Sequence, residues 1–303
     1  GTRLGEYEFV ERIAPDSGQN NVYIVKNTTN NTLCAMKLEE KTERKKCKLD
    51  IELWVLVTMK KKTDNTHYCK VIARGWNNKY EFLVLTLCGK SLRNLLKNSP
   101  GKKFTLGCAL GVGLQCLRAL MHLHKVGFIH RDIQPTNFAI GKGSEKEIRT
   151  IYLLDFYFIH MYRMPLTERM KEPRKNPTKF QGNWRYAGRA AHEGTEMSRA
   201  DDLESWLYVL IEMVQGSLPW DTLKPEEMFE KKKELAASHV KRTKLLEGLP
   251  KELCTLYKTV TELVYNSDPP YGEMIELVET AMKKAKVKEF PYDWETEEWK
   301  KKL

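Results

Sequence analysis

The segment His130-Arg131-Asp132-Ile133-Gln134-Pro135-Thr136-Asn137 constrains this chain more than any other feature of its sequence. It places an Asp and an Asn five positions apart, with Gln134 between them. The carboxylate of Asp132 can accept a proton, and the carboxamide oxygen of Asn137 can hold a metal ion. The segment therefore predicts a loop that carries chemistry, and the other motifs must be consistent with it.

The composition is that of an ordinary globular protein, with 41% hydrophobic and 30% charged residues among 303. We interpret the longest apolar run, Trp206 to Val214, as a buried helix because it is too short to span a bilayer. The residues from Gly1 to Glu6 show no signal-peptide pattern. We therefore expect an intracellular protein, cytoplasmic or nuclear, with no membrane association.

The cysteines and the charge narrow the class only slightly. The seven cysteines form no C-x-x-C pair, which argues against a zinc site or a disulfide framework and favours reduced thiols. The net charge of +11 favours acidic partners through long-range attraction. Nucleic acid, an anionic membrane and an acidic or phosphorylated protein all remain open on charge alone.

The first third of the chain has the pattern of strands, with short β-branched and aromatic runs between Asn, Thr, Gly and Pro residues. A helix is indicated where Leu49, Leu53, Leu56 and Met59 recur at helical spacing. The predicted elements are strands at Tyr7 to Ile13, Asn21 to Lys26, Thr32 to Leu38, Cys69 to Trp76 and Glu81 to Leu87, and a helix at Lys45 to Lys61.

Beyond Gly89 the pattern becomes helical, with Ser91 and Ser198 as candidate N-caps. The polar stretch Glu168 to Asn183 is interpreted as a long loop. A sheet-rich part followed by a helix-rich part predicts an α+β protein of two lobes with a hinge near Thr86 to Gly89. The predicted helices are Ser91 to Asn98, Gly107 to Val126, Ala200 to Gln215, Pro225 to Ser238, Lys251 to Val264 and Gly272 to Ala285.

Three more positions accompany the loop as candidates for chemistry: Lys37 in Cys34-Ala35-Met36-Lys37, Glu52 in the following helix, and Asp155 before Phe156. Each alone has an ordinary explanation, as a surface lysine, a solvated helix residue or a strand-end aspartate. Their order and spacing around the loop make chance a poor explanation. A lysine with acidic and carboxamide ligands supplies the positioning and charge neutralisation that phosphoryl transfer requires.

Together these motifs resemble those of protein kinases and, more narrowly, of the casein kinase I group. The resemblance runs from about Tyr7 to Glu295. The segments that carry the narrower resemblance are Leu49 to Leu56, Gly89-Lys90-Ser91-Leu92, Arg185-Tyr186-Ala187, Ser198 to Ser205 and Leu218-Pro219-Trp220. The ending Pro291 to Glu295 and the segment Gly248-Leu249-Pro250 resemble the tau-tubulin kinase branch.

The resemblance implies one bilobal kinase domain over residues 1–303, with the N-lobe to about 86, the hinge at about 86–89 and the C-lobe from about 90. It implies ATP and Mg²⁺ as cofactors, Asp132 as the base, and Lys37 paired with Glu52 at the phosphates. Asn137 and Asp155 become the candidate metal ligands. The residues implied for binding ATP are Gly18, Val22, Ala35, Lys37, Leu85, Thr86 and Leu87, with Leu85 as gatekeeper.

The resemblance also implies transfer to Ser or Thr of protein substrates, near acidic or phosphorylated residues. Arg185, Arg189 and Lys179 are the local candidates for a basic substrate groove. No nucleic-acid-binding motif is found, so a basic nucleic-acid-binding protein is supported by charge alone. The sequence does not indicate an oligomeric state.

Three departures from the family pattern surround the phosphates. The phosphate loop offers only Gly18, and Pro15 removes an amide donor there. Gln134 replaces a lysine, and the loss of one preorganised donor costs on the order of 10²–10³ in rate. Tyr157 replaces a glycine whose backbone freedom a tyrosine lacks, so we expect a bias toward one conformation. Two hypotheses follow: a kinase of reduced activity, or a pseudokinase that acts as a binding or scaffold module.

Overall fold

The computed structural model describes residues 2–13, 21–41, 47–64, 66–163, 170–177 and 179–296. Its strands are β1 (Arg3–Leu4), β2 (Tyr7–Ile13), β3 (Asn21–Asn27), β4 (Leu33–Glu40), β5 (Val71–Trp76), β6 (Tyr80–Thr86), β7 (Phe128–Ile129), β8 (Phe138–Ile140), β9 (Ile151–Leu153) and β10 (His160–Met161). Its helices are α1 (Lys48–Lys62), α2 (Leu92–Asn98), α3 (Leu106–Lys125), α4 (Glu145–Ile148), α5 (Arg189–Glu193), α6 (Arg199–Gln215), α7 (Pro225–Ala237), α8 (His239–Leu245), α9 (Lys251–Thr261) and α10 (Tyr271–Ala285).

The chain divides into two compact units. The first comprises Gly1–Lys90 and Phe138–Tyr157, and the second comprises Ser91–Asn137 and Phe158–Leu303. The sequence pattern places residues 138–157 with the helical part, because their short strands follow the first helices along the chain. The lobe boundaries at about 86 and 90 therefore remain a prediction from sequence, whereas Phe138–Tyr157 belongs to the first unit.

The first unit is built on an antiparallel sheet with the order β1-β2-β3-β4-β6-β5. Side chains alternate between the faces of such a sheet, and directly paired residues share a face. Cys34, Met36 and Val84 form a buried core on one face. Val22 pairs with Lys37 in the register of β3 and β4. The opposite face therefore carries Lys37 beside an apolar residue of the neighbouring strand.

Helix α3 of the second unit is long and apolar enough to cross a membrane by length and composition alone. In the structure, 78% of its most apolar window is buried within the protein. Its neighbour α6 packs against it, and the indole Nε1 of Trp206 donates to the carbonyl of Gly113 at 2.9 Å. An unbroken apolar run is not a feature of α3, which is why the sequence pattern draws attention to Trp206 to Val214 instead. Its burial on most sides is that of a core helix.

The predicted α+β class is confirmed, with a sheet-rich first part and a helical second part. Ser91 accepts from the amide of Asn94, and Ser198 forms a capping box with Asp201, so both predicted N-caps are confirmed. The predicted helix at Lys45 to Lys61 begins at Lys48 in the described residues. Short elements such as α4, α5 and the two-residue strands were missed, because periodicity needs a longer window.

Gly216 ends α6 in the left-handed conformation, with φ of 86°. A Cβ there would lie 2.4 Å from the carbonyl oxygen of Gly101, whereas a Cβ on left-handed Gly194 would meet nothing within 4 Å. We expect Gly194→Ala to lower the free energy of unfolding by about 1 kcal/mol, from backbone strain alone. Gly216→Ala should lower it by at least twice as much, because steric overlap adds to the strain. Denaturant unfolding of both variants measures this, and equal losses would contradict the assignment of overlap at Gly216.

Candidate active site

Lys37 and Glu52 form a closed ion pair within the first unit. The Lys37 Nζ donates to both carboxylate oxygens of Glu52 at 2.8 Å and lies 3.4 Å from Oδ1 of Asp155. The side chains of Lys37 and Glu52 are 13% and 6% exposed. Burial opposes the charged ammonium, but the carboxylates of Asp155 and Glu52 outweigh it and raise the pKa of Lys37 above its usual range. The ammonium is therefore fully charged at neutral pH.

Asp155 follows β9 in a left-handed backbone conformation, with φ of 62°. The next residue, Phe156, is buried and stacks on Tyr68 with 6.1 Å between ring centroids. This stacking anchors the segment immediately after Asp155. Asp tolerates the left-handed region better than most residues, so the strain falls on a side chain that can accommodate it.

Tyr157 does not carry the backbone strain that its replacement of glycine suggested. Its φ is not positive; the left-handed residue of this segment is Asp155. The Tyr157 ring instead packs against α1, with the Nζ of Lys48 3.4 Å from the ring centroid. Such a cation–π contact stabilises by about 0.5–1 kcal/mol or more. The expected bias toward one conformation therefore acts through a side-chain contact with α1.

A pocket opens beside the Lys37 ammonium and is lined in part by Asn21, Lys48, Asp155 and Tyr157. Its two lysines suit an anionic group, and the Asp155 carboxylate suits a divalent cation. These donors fit a nucleotide phosphate with its metal ion. Gly18, with the neighbouring Pro15 of the phosphate loop, lies outside the described residues, so the predicted contact of Gly18 stays a prediction.

The other residues implied for ATP binding are arranged by the sheet. Ala35 pairs with Leu85 across β4 and β6, and therefore lies on the Lys37 face together with Val22. Thr86 ends β6, where its amide donates to the carbonyl of Lys70 at 3.0 Å. Leu87 follows outside the strand. The register thus brings Val22, Ala35 and Leu85 to one surface, and their contact with a nucleotide remains a prediction.

Asp132, Gln134 and Asn137 meet in the second unit. The Nε2 of Gln134 donates to both carboxylate oxygens of Asp132, at 2.9 and 3.0 Å. The Nδ2 of Asn137 donates to Oδ2 and to the carbonyl of Asp132, at 2.9 and 2.8 Å. Both of these bonds use Nδ2, so the carboxamide oxygen is the atom of Asn137 suited to a cation. Asn183 donates to Oε1 of Gln134 at 3.2 Å and thereby orients its amide.

The backbone of this loop is held by a buried carboxylate from α6. Asp202 accepts the amides of His130 and Arg131 at 2.6 and 2.8 Å, and lies 2.9 Å from Nε2 of His124. Burial raises the pKa of Asp202, but the bonds to His124 and the loop outweigh it and leave the pKa below its usual value. Arg131 adopts a φ of 71°, a strained conformation that these bonds stabilise.

The predicted basic groove is largely neutralised within the second unit. Arg185 donates to Glu212 at 2.6 Å and to Asp221 at 2.8 Å. Arg189 donates to Glu204 at 2.9 Å. Only Lys179 of the three candidates is exposed without an ion pair to the described residues. Internal pairing makes both arginines weaker candidates for binding an acidic substrate than the sequence suggests.

Comparison with known proteins agrees with this geometry. Residues 17–285 match the protein kinase domain family. The chain belongs to this family. Its residues 37, 52, 132, 137 and 155 therefore have the sequence positions expected of a kinase, and the predicted kinase fold is confirmed. Membership implies the use of ATP and a divalent metal ion in general.

The relatives are named as serine/threonine kinases. A probable serine/threonine-protein kinase of Dictyostelium discoideum is 32% identical over 97% of this chain and 57% of its own length. The serine/threonine-protein kinase spe-6 of Caenorhabditis elegans is 30% identical over 91% of this chain and 72% of its own. A probable casein kinase I homolog of Encephalitozoon cuniculi is 29% identical over 97% and 94%. The chain thus spans little more than half of the Dictyostelium relative.

Two functional contacts of this kinase domain were missed from the sequence. Asp202 was part of a motif, but its bonds to His130 and Arg131 join segments far apart in the chain. Lys48 was one of many helical lysines, and nothing local indicated its contact with Tyr157. Burial of an acidic pair after the Ser198 cap was the one available signal for Asp202, because buried carboxylates need partners.

We expect Asp202→Asn to lower the free energy of unfolding by about 3 kcal/mol, because one of its two acceptor oxygens becomes a donor facing backbone amides. The matched control is Asp268→Asn. Asp268 pairs with Arg199 at 2.8 Å but its side chain is 89% exposed, so its loss should be below about 1 kcal/mol. Denaturant unfolding compares the two, and an equal effect in both variants would contradict an anchoring role for Asp202.

Proposed function

We propose that the chain is an active serine/threonine protein kinase that transfers the γ-phosphoryl group of ATP to hydroxyl groups of protein substrates, with Mg²⁺ as its metal. The closed Lys37–Glu52 pair is the observation that carries the proposal. A lysine held at 2.8 Å by a buried glutamate, and 3.4 Å from a second carboxylate, is preorganised to bind phosphate oxygens.

ATP, when bound with its metal ion, supplies the phosphoryl group. Lys37 binds its α- and β-phosphates, and Asp155 and Asn137 offer oxygen ligands to Mg²⁺. Asp132 accepts the proton of the attacking hydroxyl group. The amides of Gln134 and Asn137 support this role because they hold the Asp132 carboxylate in one orientation.

A pseudokinase remains the second candidate function, and one observation favours it. The Gln134 amide spans both oxygens of Asp132, where the family has a lysine. A neutral amide donates hydrogen bonds but does not neutralise charge on a transferring phosphoryl group. On this alternative the domain serves as a binding or scaffold module.

We propose a preference for acidic or phosphorylated substrates, supported by the net charge of +11 and by exposed Lys179. The casein kinase I homologs among the relatives support a place near that group. Assignment to the tau-tubulin kinase branch is a further proposal that rests on Gly248-Leu249-Pro250 and Pro291 to Glu295.

A paired assay tests the proposed activity. Saturating ATP with Mg²⁺ should raise the melting temperature of the wild type, since a ligand at 100 times its Kd contributes about 2.7 kcal/mol. The wild type should also phosphorylate casein or an acidic peptide, whereas Asp132→Asn should keep the melting shift and lose the incorporation. A melting shift with equal incorporation in both proteins points to the pseudokinase. Absence of any shift overturns nucleotide binding altogether.

Replacement of the amide tests the electrostatic argument. We expect Gln134→Lys to raise the rate of phosphate incorporation about tenfold or more, because an ammonium adds charge where the phosphoryl group transfers. The same substitution in the Asp132→Asn background should change nothing, which controls for non-specific effects. A lower rate in Gln134→Lys than in the wild type would show that the neutral amide is required.

A further inference from the structure

Two of the seven cysteines face each other in the first unit. The Sγ atoms of Cys69 and Cys88 are 3.4 Å apart, and both residues carry free thiols. Cys69 is buried and Cys88 is half-buried. A disulfide bond is about 2.05 Å long, so the two sulfurs need to approach by only about 1.3 Å to be joined.

The backbone brings these two thiols together. Cys69 precedes β5 and Cys88 follows β6, and these strands are paired. The amide of Thr86 donates to the carbonyl of Lys70 at 3.0 Å, which fixes the residues next to both cysteines. On the other side of Cys88, the amide of Gly89 donates to the carbonyl of Ile140 at 2.8 Å. The sulfur–sulfur contact is therefore a consequence of strand register.

The surroundings give the two sulfurs different access to reagents. The contact with Cys88 and then burial raise the pKa of Cys69 well above its ordinary value, which keeps that thiol protonated. Cys88 is the more exposed of the two and is the sulfur that a dissolved oxidant meets first. Cys254 is also half-buried, but its sulfur contacts the hydroxyl of Thr243 at 3.8 Å. It provides a matched cysteine without a sulfur neighbour.

We propose that Cys69 and Cys88 form an oxidisable dithiol, a modification site at which a peroxide converts two thiols into a disulfide. The Cys88 sulfur attacks one peroxide oxygen, the O–O bond breaks, and a sulfenic acid and one water form. The Cys69 sulfur then attacks the Cys88 sulfur, the S–O bond breaks, and a second water leaves. One peroxide is reduced to two waters, and the two thiols lose two hydrogen atoms.

The disulfide changes the segment to which ATP binding is assigned. Leu85, Thr86 and Leu87 directly precede Cys88. A bond that draws Cys88 toward Cys69 moves the backbone at the end of this segment. Oxidation therefore weakens nucleotide binding, an effect that rests on the proposed function, whereas disulfide formation itself does not. Reduction by dithiothreitol restores the original state.

Mass spectrometry of the purified protein after treatment with hydrogen peroxide tests the modification site. The wild type and Cys254→Ser should each lose the mass of two hydrogens and yield a peptide pair linked through Cys69 and Cys88. Neither Cys69→Ser nor Cys88→Ser should form the linked pair. The proposal is overturned if the wild type gives no linked pair, or if Cys88 proceeds to sulfinic acid without one. Should Cys69→Ser fold poorly, Cys88→Ser decides alone, because its site is half-buried.

The melting shift with ATP and Mg²⁺ tests the consequence. Oxidised wild type should show a smaller shift than reduced wild type, and dithiothreitol should restore it, while Cys88→Ser should be unaffected by peroxide. An unchanged shift in protein that carries the mapped disulfide overturns the effect on nucleotide binding. If reduced wild type shows no shift, the proposed ATP binding fails, and the mass measurement still decides the dithiol.

Discussion

The buried carboxylate of Asp202 is the constraint on which the catalytic loop depends. It accepts two successive backbone amides, from His130 and Arg131, and lies against the imidazole of His124. Arg131 takes a left-handed conformation that costs an L-residue about 1–2 kcal/mol, so the loop needs strong bonds to keep it. The position of Asp132, the next residue, is thereby set by α6. A mobile loop would leave the base without a fixed orientation.

Within that fixed loop, the electrostatics of Asp132 depend on neutral groups. Gln134 and Asn137 donate to the carboxylate, and Asn183 holds the amide of Gln134 in place. These bonds preserve the geometry that a lysine would give. They do not supply its charge, and charge neutralisation is the larger part of what a protein contributes to phosphoryl transfer. Orientation is thus retained at Asp132 while electrostatic support is reduced.

Local periodicity was sufficient to predict the sheet, most of the long helices and the Lys37–Glu52 pair. It was insufficient where the partner is distant in sequence. Arg185 appeared to be a free basic side chain because nothing near it identifies Glu212 and Asp221 as its partners. The role of Asp202 was missed for the same reason. Motifs locate chemical groups, but only tertiary contacts determine which charges are already paired.

Tyr157 illustrates how a departure from a motif can be compensated. Lys48 and Glu52 are one turn apart on α1, and their side chains contact Tyr157 and Lys37 respectively. The tyrosine therefore adds a second contact between α1 and the segment that carries Asp155, close to the one formed by the ion pair. Because Asp155 keeps its contact with Lys37, loss of the glycine does not disturb the phosphate-binding lysine. Among the described residues, the argument for weak catalysis rests on the neutral charge of Gln134.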